Sequence, residues 1–202
     1  MRRFFIIAAT VFAFVSTAYA QPRAVFMGDS IFDCWDSPKY GGKPEFFTKN
    51  HFVNCGKSGQ VTSQMLERFE RDVIDCHPQK VVICAGTNDI AQNKGYVPNR
   101  LIMKNIKAMA KLAEQNNIEV ILCTILPAAL YPWRPEIEPV KLIRDMNRRI
   151  ARFAKHKHRR FVDFYTPLST PDGAMNPNLS KDGVHPNAPC YEIMERVLMR
   201  EF

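Results

Sequence analysis

Five short apolar runs, each followed by a turn and separated by stretches with helical spacing, leave this chain little choice of architecture. Lys80–Ala85 (KVVICA) and Glu119–Thr124 (EVILCT) are apolar through their middles with no alternation. A strand with one wet face alternates apolar and polar residues, whereas an uninterrupted run is covered on both faces. The stretch from Ala24 to Met27 has the same character and runs into Gly28-Asp29-Ser30. Phe52-Val53-Asn54 and Phe161-Val162-Asp163 are shorter second and fifth members. Between them, Met65, Phe69 and Val73 recur at four-residue steps in Ser63–Asp75. Ile102, Ile106, Met109 and Ala113 share one face of Pro98–Asn116, with Pro98 suited to a first turn. Val140–Ala154 carries Leu142, Met146, Ile150 and Phe153 on one side, and Pro189–Glu201 closes the chain as a helix. Such alternation predicts a parallel sheet with helices on both faces, an open three-layer α/β domain.

The first twenty residues stand outside that pattern. Arg2 and Arg3 precede an apolar stretch from Phe4 to Val15, and Ala18-Tyr19-Ala20 has the small-x-small form of a cleavage site. This reads as a secretory signal peptide, residues 1–20, with residues 21–202 as one domain. The apolar core is shorter than the ~20 residues a membrane-spanning helix needs. The expectation is an exported protein, periplasmic or secreted, with no stable membrane anchor. Cleavage would remove two arginines and lower the formal charge from +8 to +6. The one dense basic run, Lys155-His156-Lys157-His158-Arg159-Arg160, falls at a helix C-terminus, where cations complement the helix dipole. It lacks interleaved aromatics, so no nucleic-acid partner is expected. Six cysteines follow residue 20, but the CxxC and CxxH spacings of metal sites are absent, and no metal or other cofactor is expected. Cys84 and Cys123 lie inside apolar strands and read as small buried hydrophobes, so the thiols are expected to be mostly free.

Chemistry concentrates where strands end. Ser30 follows the first strand at the edge where open α/β sheets bind their ligands. A serine hydroxyl attacks a carbonyl only if a base takes its proton. Asp182-Gly183-Val184-His185 supplies an aspartate three residues before a histidine in a loop rich in Gly, Pro and Asn. His185 is suited to receive the proton, and Asp182 to hold the imidazole in the right tautomer. A tetrahedral intermediate also needs fixed donors for its negative oxygen. The Ser30 N–H, the Gly59 N–H in Cys55–Gln60 and the Asn88 side chain in Gly86-Thr87-Asn88-Asp89 are three, on three neighbouring strand ends. Taken singly, each segment is an ordinary turn; it is their order, one per strand end, that points to a site.

These four blocks resemble those of the SGNH hydrolases, the GDSL esterase/lipase family, from Val25 to the last helix. The resemblance implies a three-layer α/β/α flavodoxin-like fold with five parallel strands in the order 2-1-3-4-5. It implies Ser30 as nucleophile with Asp182 and His185 completing a triad, and Ser30, Gly59 and Asn88 as the oxyanion hole. No block is missing or substituted. Asp29 is expected to order the nucleophile's turn through the backbone, with no proton-transfer role.

For the substrate, the proline-rich stretch Thr124–Pro139 offers Tyr131, Trp133 and Arg134 as a wall, with Trp35 on the opposite side. The other reading makes these aromatics packing residues. The resemblance to small exported esterases, with no broad apolar lid, favours a short-chain, acetyl-type esterase acting on carbohydrates. A lysophospholipase or acyl thioesterase with the same triad, and a non-catalytic flavodoxin-like binding module, are the alternatives.

Overall fold

The computed structural model describes residues 21–202; the expected signal peptide lies outside the described residues. Five strands, β1 (Ala24–Gly28), β2 (Phe52–Gly56), β3 (Lys80–Cys84), β4 (Glu119–Cys123) and β5 (Arg160–Val162), form one sheet in the order β2-β1-β3-β4-β5. Every neighbouring pair is parallel. The helices are α1 (Ser30–Asp33), α2 (Pro44–Asn50), α3 (Thr62–Glu67), α4 (Thr87–Ile90), α5 (Asn99–Gln115), α6 (Pro139–His156), α7 (Tyr165–Leu168) and α8 (Ala188–Leu198). This is the three-layer domain that the alternation of strands and helices predicts, in the strand order that the family resemblance implies.

The unbroken apolar runs divide by the two-residue period of a strand. Val25, Met27, Val81, Ile83, Val120 and Leu122 face one layer, where Met65, Ile102, Met109, Met146 and Ile150 cover them. Ala24, Phe26, Val82, Cys84 and Ile121 face the other, against Phe32, Phe47, Tyr191 and Met194. Phe26 is the centre of that second core, with ring centroids of Phe47, Phe52 and Phe32 within 5.1–5.3 Å. Trp35 belongs here rather than to a substrate wall. It is fully buried, stacked between Phe46 at 5.5 Å and Tyr191 at 5.4 Å, because the aromatic faces of α2 and α8 meet over it.

One expected helix is broken. The apolar spacing over Ser63–Asp75 holds, with Met65, Phe69 and Val73 all buried. However, α3 stops at Glu67, Arg68 leaves helical geometry at φ −98° and ψ 2°, and a π-helical turn runs from Glu70 to Ile74. At the break the Arg68 guanidinium turns inward to the end of β1. All six cysteines are free thiols, four of them buried. Among the described residues, no helix is long and apolar enough to cross a membrane.

Candidate active site

The register sets Gly28 opposite both Gly56 of β2 and Cys84 of β3, so three strands end level and release their loops side by side. At Gly28 a β-carbon would lie 2.7 Å from the Phe32 ring, so only glycine lets α1 fold straight back over the strand. Asp29 caps α1, its Oδ1 accepting the Ile31 N–H at 3.0 Å. Ser30 is then the first helical residue, and its N–H has no acceptor within the helix.

The Ser30 Oγ lies 3.0 Å from His185 Nε2, and His185 Nδ1 lies 2.6 Å from Asp182 Oδ2. The other Asp182 oxygen accepts the N–H groups of Val184 at 2.9 Å and His185 at 2.8 Å and the Ser180 hydroxyl at 3.0 Å. Burial alone would push this carboxyl up, but the hydrogen bonds from the His185 ring and the two backbone amides outweigh it and bring it to about 2. Asp182 is therefore a carboxylate at any neutral pH, and the imidazole N–H is drawn to it.

Gly59 sits at the third position of a turn closed by Gln60 N–H to Lys57 O at 3.3 Å, with φ +76°. That left-handed backbone favours glycine. The turn is bolted to α1: Asp33 accepts both the N–H and the hydroxyl of Ser58. Asn88, the second residue of α4, gives an Nδ2 hydrogen to Gln60 O at 3.0 Å and accepts from Asn93 Nδ2 at 2.6 Å. Its neighbour Asp89 accepts the N–H of Thr62 at 2.8 Å and its hydroxyl at 2.7 Å, locking the third strand's loop to the start of α3. Arg68, 6% exposed, donates to Gly28 O at 3.1 Å, Gln60 Oε1 at 2.6 Å and Asp72 Oδ2 at 2.7 Å. Nothing in the sequence marks Arg68; it occupies an ordinary helical position.

Ser30, Gly59, Asn88, Asp182 and His185 all line one cavity of about 840 Å³. Trp133 joins them, 40% exposed, its ring centroid 5.9 Å from that of His185. The other two wall residues expected from the same loop do not. Tyr131 is fully buried beneath Trp133 at 5.4 Å, its hydroxyl without a hydrogen-bond partner among the described residues. Arg134 pairs with Glu136 at 2.8 Å and is not among the lining residues, a carboxylate two positions away having captured its guanidinium. Lys39 and Tyr40 line the cavity instead, on a turn so close to the start of α8 that a β-carbon at Gly41 would lie 2.8 Å from Ala188 N. Lys181 lies beside Asp182 in the same lining. Cys34 also lines the cavity, but burial and nearby aspartates push its thiol up to about 11, which leaves it protonated and no rival nucleophile.

A model of the GDSL-like lipase/acylhydrolase family matches residues 26–193. A crystal structure of a GDSL-like lipase from Bacteroides thetaiotaomicron superposes with a TM-score of 0.85 at 42% identity, covering 90% of this chain and 87% of that one. A Bacteroides fragilis structure gives 0.85 at 39% identity, covering 91% and 87%. The platelet-activating factor acetylhydrolase IB subunit alpha1 of Pongo abelii is 26% identical over 187 residues, 89% of this chain and 77% of the relative.

Proposed function

This chain belongs to the GDSL-like lipase/acylhydrolase family and is an ester hydrolase, and we propose that it removes small acyl groups, acetyl above all, from carbohydrate alcohols through Ser30, His185 and Asp182. The observation that carries the reading is the unbroken hydrogen-bonded line from Ser30 Oγ through the imidazole to a carboxylate already saturated with donors. Ser30 Oγ attacks the ester carbonyl as His185 Nε2 takes its proton. The carbonyl oxygen becomes an oxyanion, met by the Ser30 and Gly59 N–H groups and Asn88 Nδ2. Collapse expels the alcohol, which takes the proton from His185, and water then repeats the sequence on the acyl-enzyme.

Because the leaving alcohol must meet His185 to be protonated, it lies against Trp133, whose ring adjoins the imidazole. An exposed indole beside polar side chains suits a sugar, whose apolar faces stack while its hydroxyls find partners. The lining mixes lysines, asparagines and two serines with its aromatics, whereas a long acyl chain needs a continuous apolar channel. The acetylhydrolase name of the 26% identical relative agrees with a short acyl group.

Fluorophosphonate labelling followed by mass spectrometry tests the nucleophile. The adduct is expected on Ser30, and Ser30→Ala should stay folded while retaining only the ~10³–10⁴-fold advantage over water that binding and oxyanion donors supply in a comparable triad. An adduct elsewhere, or full activity without the hydroxyl, would overturn the assignment.

A further inference from the structure

An asparagine side chain has two ends of nearly equal size, one a donor and the other an acceptor, and only its neighbours decide which way each points. Asn88 serves an oxyanion only with its Nδ2 turned to the cavity. Its orientation follows from Trp133. An indole N–H can only donate, so the end of Asn93 that lies 2.8 Å from Trp133 Nε1 must be Oδ1. Asn93 Nδ2 then faces the other way, 2.6 Å from Asn88, and the end of Asn88 it meets must be Oδ1. Asn88 Nδ2 is left to give one hydrogen to the Gln60 carbonyl at 3.0 Å, with a second to spare in a residue that lines the cavity. A donor-only group at one end and an acceptor-only group at the other agree on a single polarity. The backbone is shaped for it: Asn93 N–H closes back on Asn88 O at 3.0 Å, and the residue between them that makes this possible, Gln92, sits in the left-handed region at φ +53°.

We propose that Asn93 is a positioning residue that holds Asn88 in its donor orientation, and that Trp133 sets this orientation through Asn93, so that the surface bearing the leaving alcohol also steers the oxyanion donor. The inference rests on Asn88 as an oxyanion donor and on Trp133 as the alcohol-side wall. It assigns Trp133 a second task beyond stacking. Binding at the indole is felt at the developing negative charge, so the alcohol part of the substrate contributes to kcat and not only to KM.

Steady-state kinetics on p-nitrophenyl acetate and on an acetylated sugar, with thermal unfolding of each variant as a check on folding, tests it. Asn93→Asp still accepts from the indole but offers no hydrogen to Asn88 Oδ1; Asn93→Ala offers neither. Both should lose about tenfold or more in kcat with KM within about twofold, less than the ~10²–10³-fold expected for Asn88→Ala, which removes the donor itself. Trp133→Phe keeps the ring and removes only the N–H, and should lower kcat by about threefold. Added to Asn93→Ala it should cost nothing further, since both act on one relay. Losses confined to KM, an unchanged kcat in folded Asn93→Ala, or strictly additive losses for Trp133→Phe and Asn93→Ala would overturn the proposal. Asn88→Ala separates the two readings. If it keeps full kcat, the oxyanion assignment falls and the relay with it; if it loses activity while Asn93→Ala does not, only the relay falls.

Discussion

Asp29 stands next to the proposed nucleophile with one oxygen, Oδ1, capping α1 and the other, Oδ2, buried. Burial pushes its carboxyl up from 3.8 to about 6, against the pull of the Ile31 N–H, the nearby His185 and the Thr87 side chain. At ~1.4 kcal/mol for each tenfold change in proton affinity, this corresponds to about 3 kcal/mol between the protonated and ionised folded states. The sign follows from the raised value. Below 3.8 the carboxyl is protonated in both folded and unfolded chains, and its contribution is fully present. As the pH climbs past about 6 the folded protein must also ionise it, and the contribution is gone. The substitution Asp29→Asn keeps an Oδ1 for the Ile31 N–H but removes the ionisable group. Stabilities of wild type and Asp29→Asn, from urea unfolding at steps between pH 4 and pH 8, should therefore diverge by about 3 kcal/mol in favour of the variant as the pH rises. Glu195, also raised by burial, is common to both proteins and cancels in the difference, whereas Asp89 repels the Asp29 charge and is relieved of it in the variant, which adds to the divergence. Two profiles that run parallel within about 0.5 kcal/mol would refute the reasoning and place Asp29 in an environment that accepts its charge.

Arg68→Met should lower the melting temperature by about 5–10 °C, from a loss of about 2–3 kcal/mol. The loss stays below that of a fully orphaned buried pair, because Asp72 keeps Arg71 and Lys57, and Gly28 O keeps the Lys57 N–H; an unchanged melting curve would show that the guanidinium holds nothing. Across p-nitrophenyl esters, kcat/KM should peak at acetyl and fall with chain length, and Trp133→Ala should impair deacetylation of a sugar far more than hydrolysis of p-nitrophenyl acetate. Best activity on octanoyl or longer esters would transfer the protein to the lysophospholipase or thioesterase reading. Export through residues 1–20 predicts a mature N-terminus at Gln21 in protein recovered from its native envelope, and recovery of intact Met1 in membranes would indicate an anchor instead.

The sheet was legible because parallel strands covered on both faces cannot hide: Val81–Cys84 and Val120–Cys123 have no residue to spare for solvent. The blocks at strand ends were legible for a related reason, since glycines that a side chain would clash with, such as Gly28, are fixed by geometry. The helix break at Arg68 was not. Met65, Phe69 and Val73 are buried on either side of it, so the apolar spacing reads the same whether the turn between them is α or π. Of the candidate wall residues Trp133 lines the cavity while Trp35 and Tyr131 are packing residues, because proximity in sequence says nothing about depth. Trp35 lies five residues after the serine yet points into the second core, and Tyr131 and Trp133, two residues apart, are fully buried and 40% exposed. Lys39, Tyr40 and Asn93 carry no motif at all, and only the folding of their loops onto the His185 and Asn88 segments brings them to the cavity.

What distinguishes this site from a serine that merely lies near a histidine is how its donors are held. An oxyanion hole accelerates a reaction only if its dipoles are already aimed when charge appears, because reorienting them in the transition state would consume the gain. Here the three proposed donors come from three separate loops, and flexible loops would not keep them aimed. The second loop is tied to each of the others by polar contacts that run between blocks and not within one: Asp33 to Ser58 joins it to the first, Asp89 to Thr62 and Asn88 to Gln60 to the third. Arg68 reaches the first and second at once through Gly28 O and Gln60 Oε1. None of these ties uses the hydrogen that a donor turns to the cavity. Cutting any one of them should therefore misaim a donor without blocking the cavity. Such a loss appears in kcat and leaves KM nearly untouched, whereas loss of the Trp133 ring, which also stacks on the sugar, raises KM on a sugar ester as well.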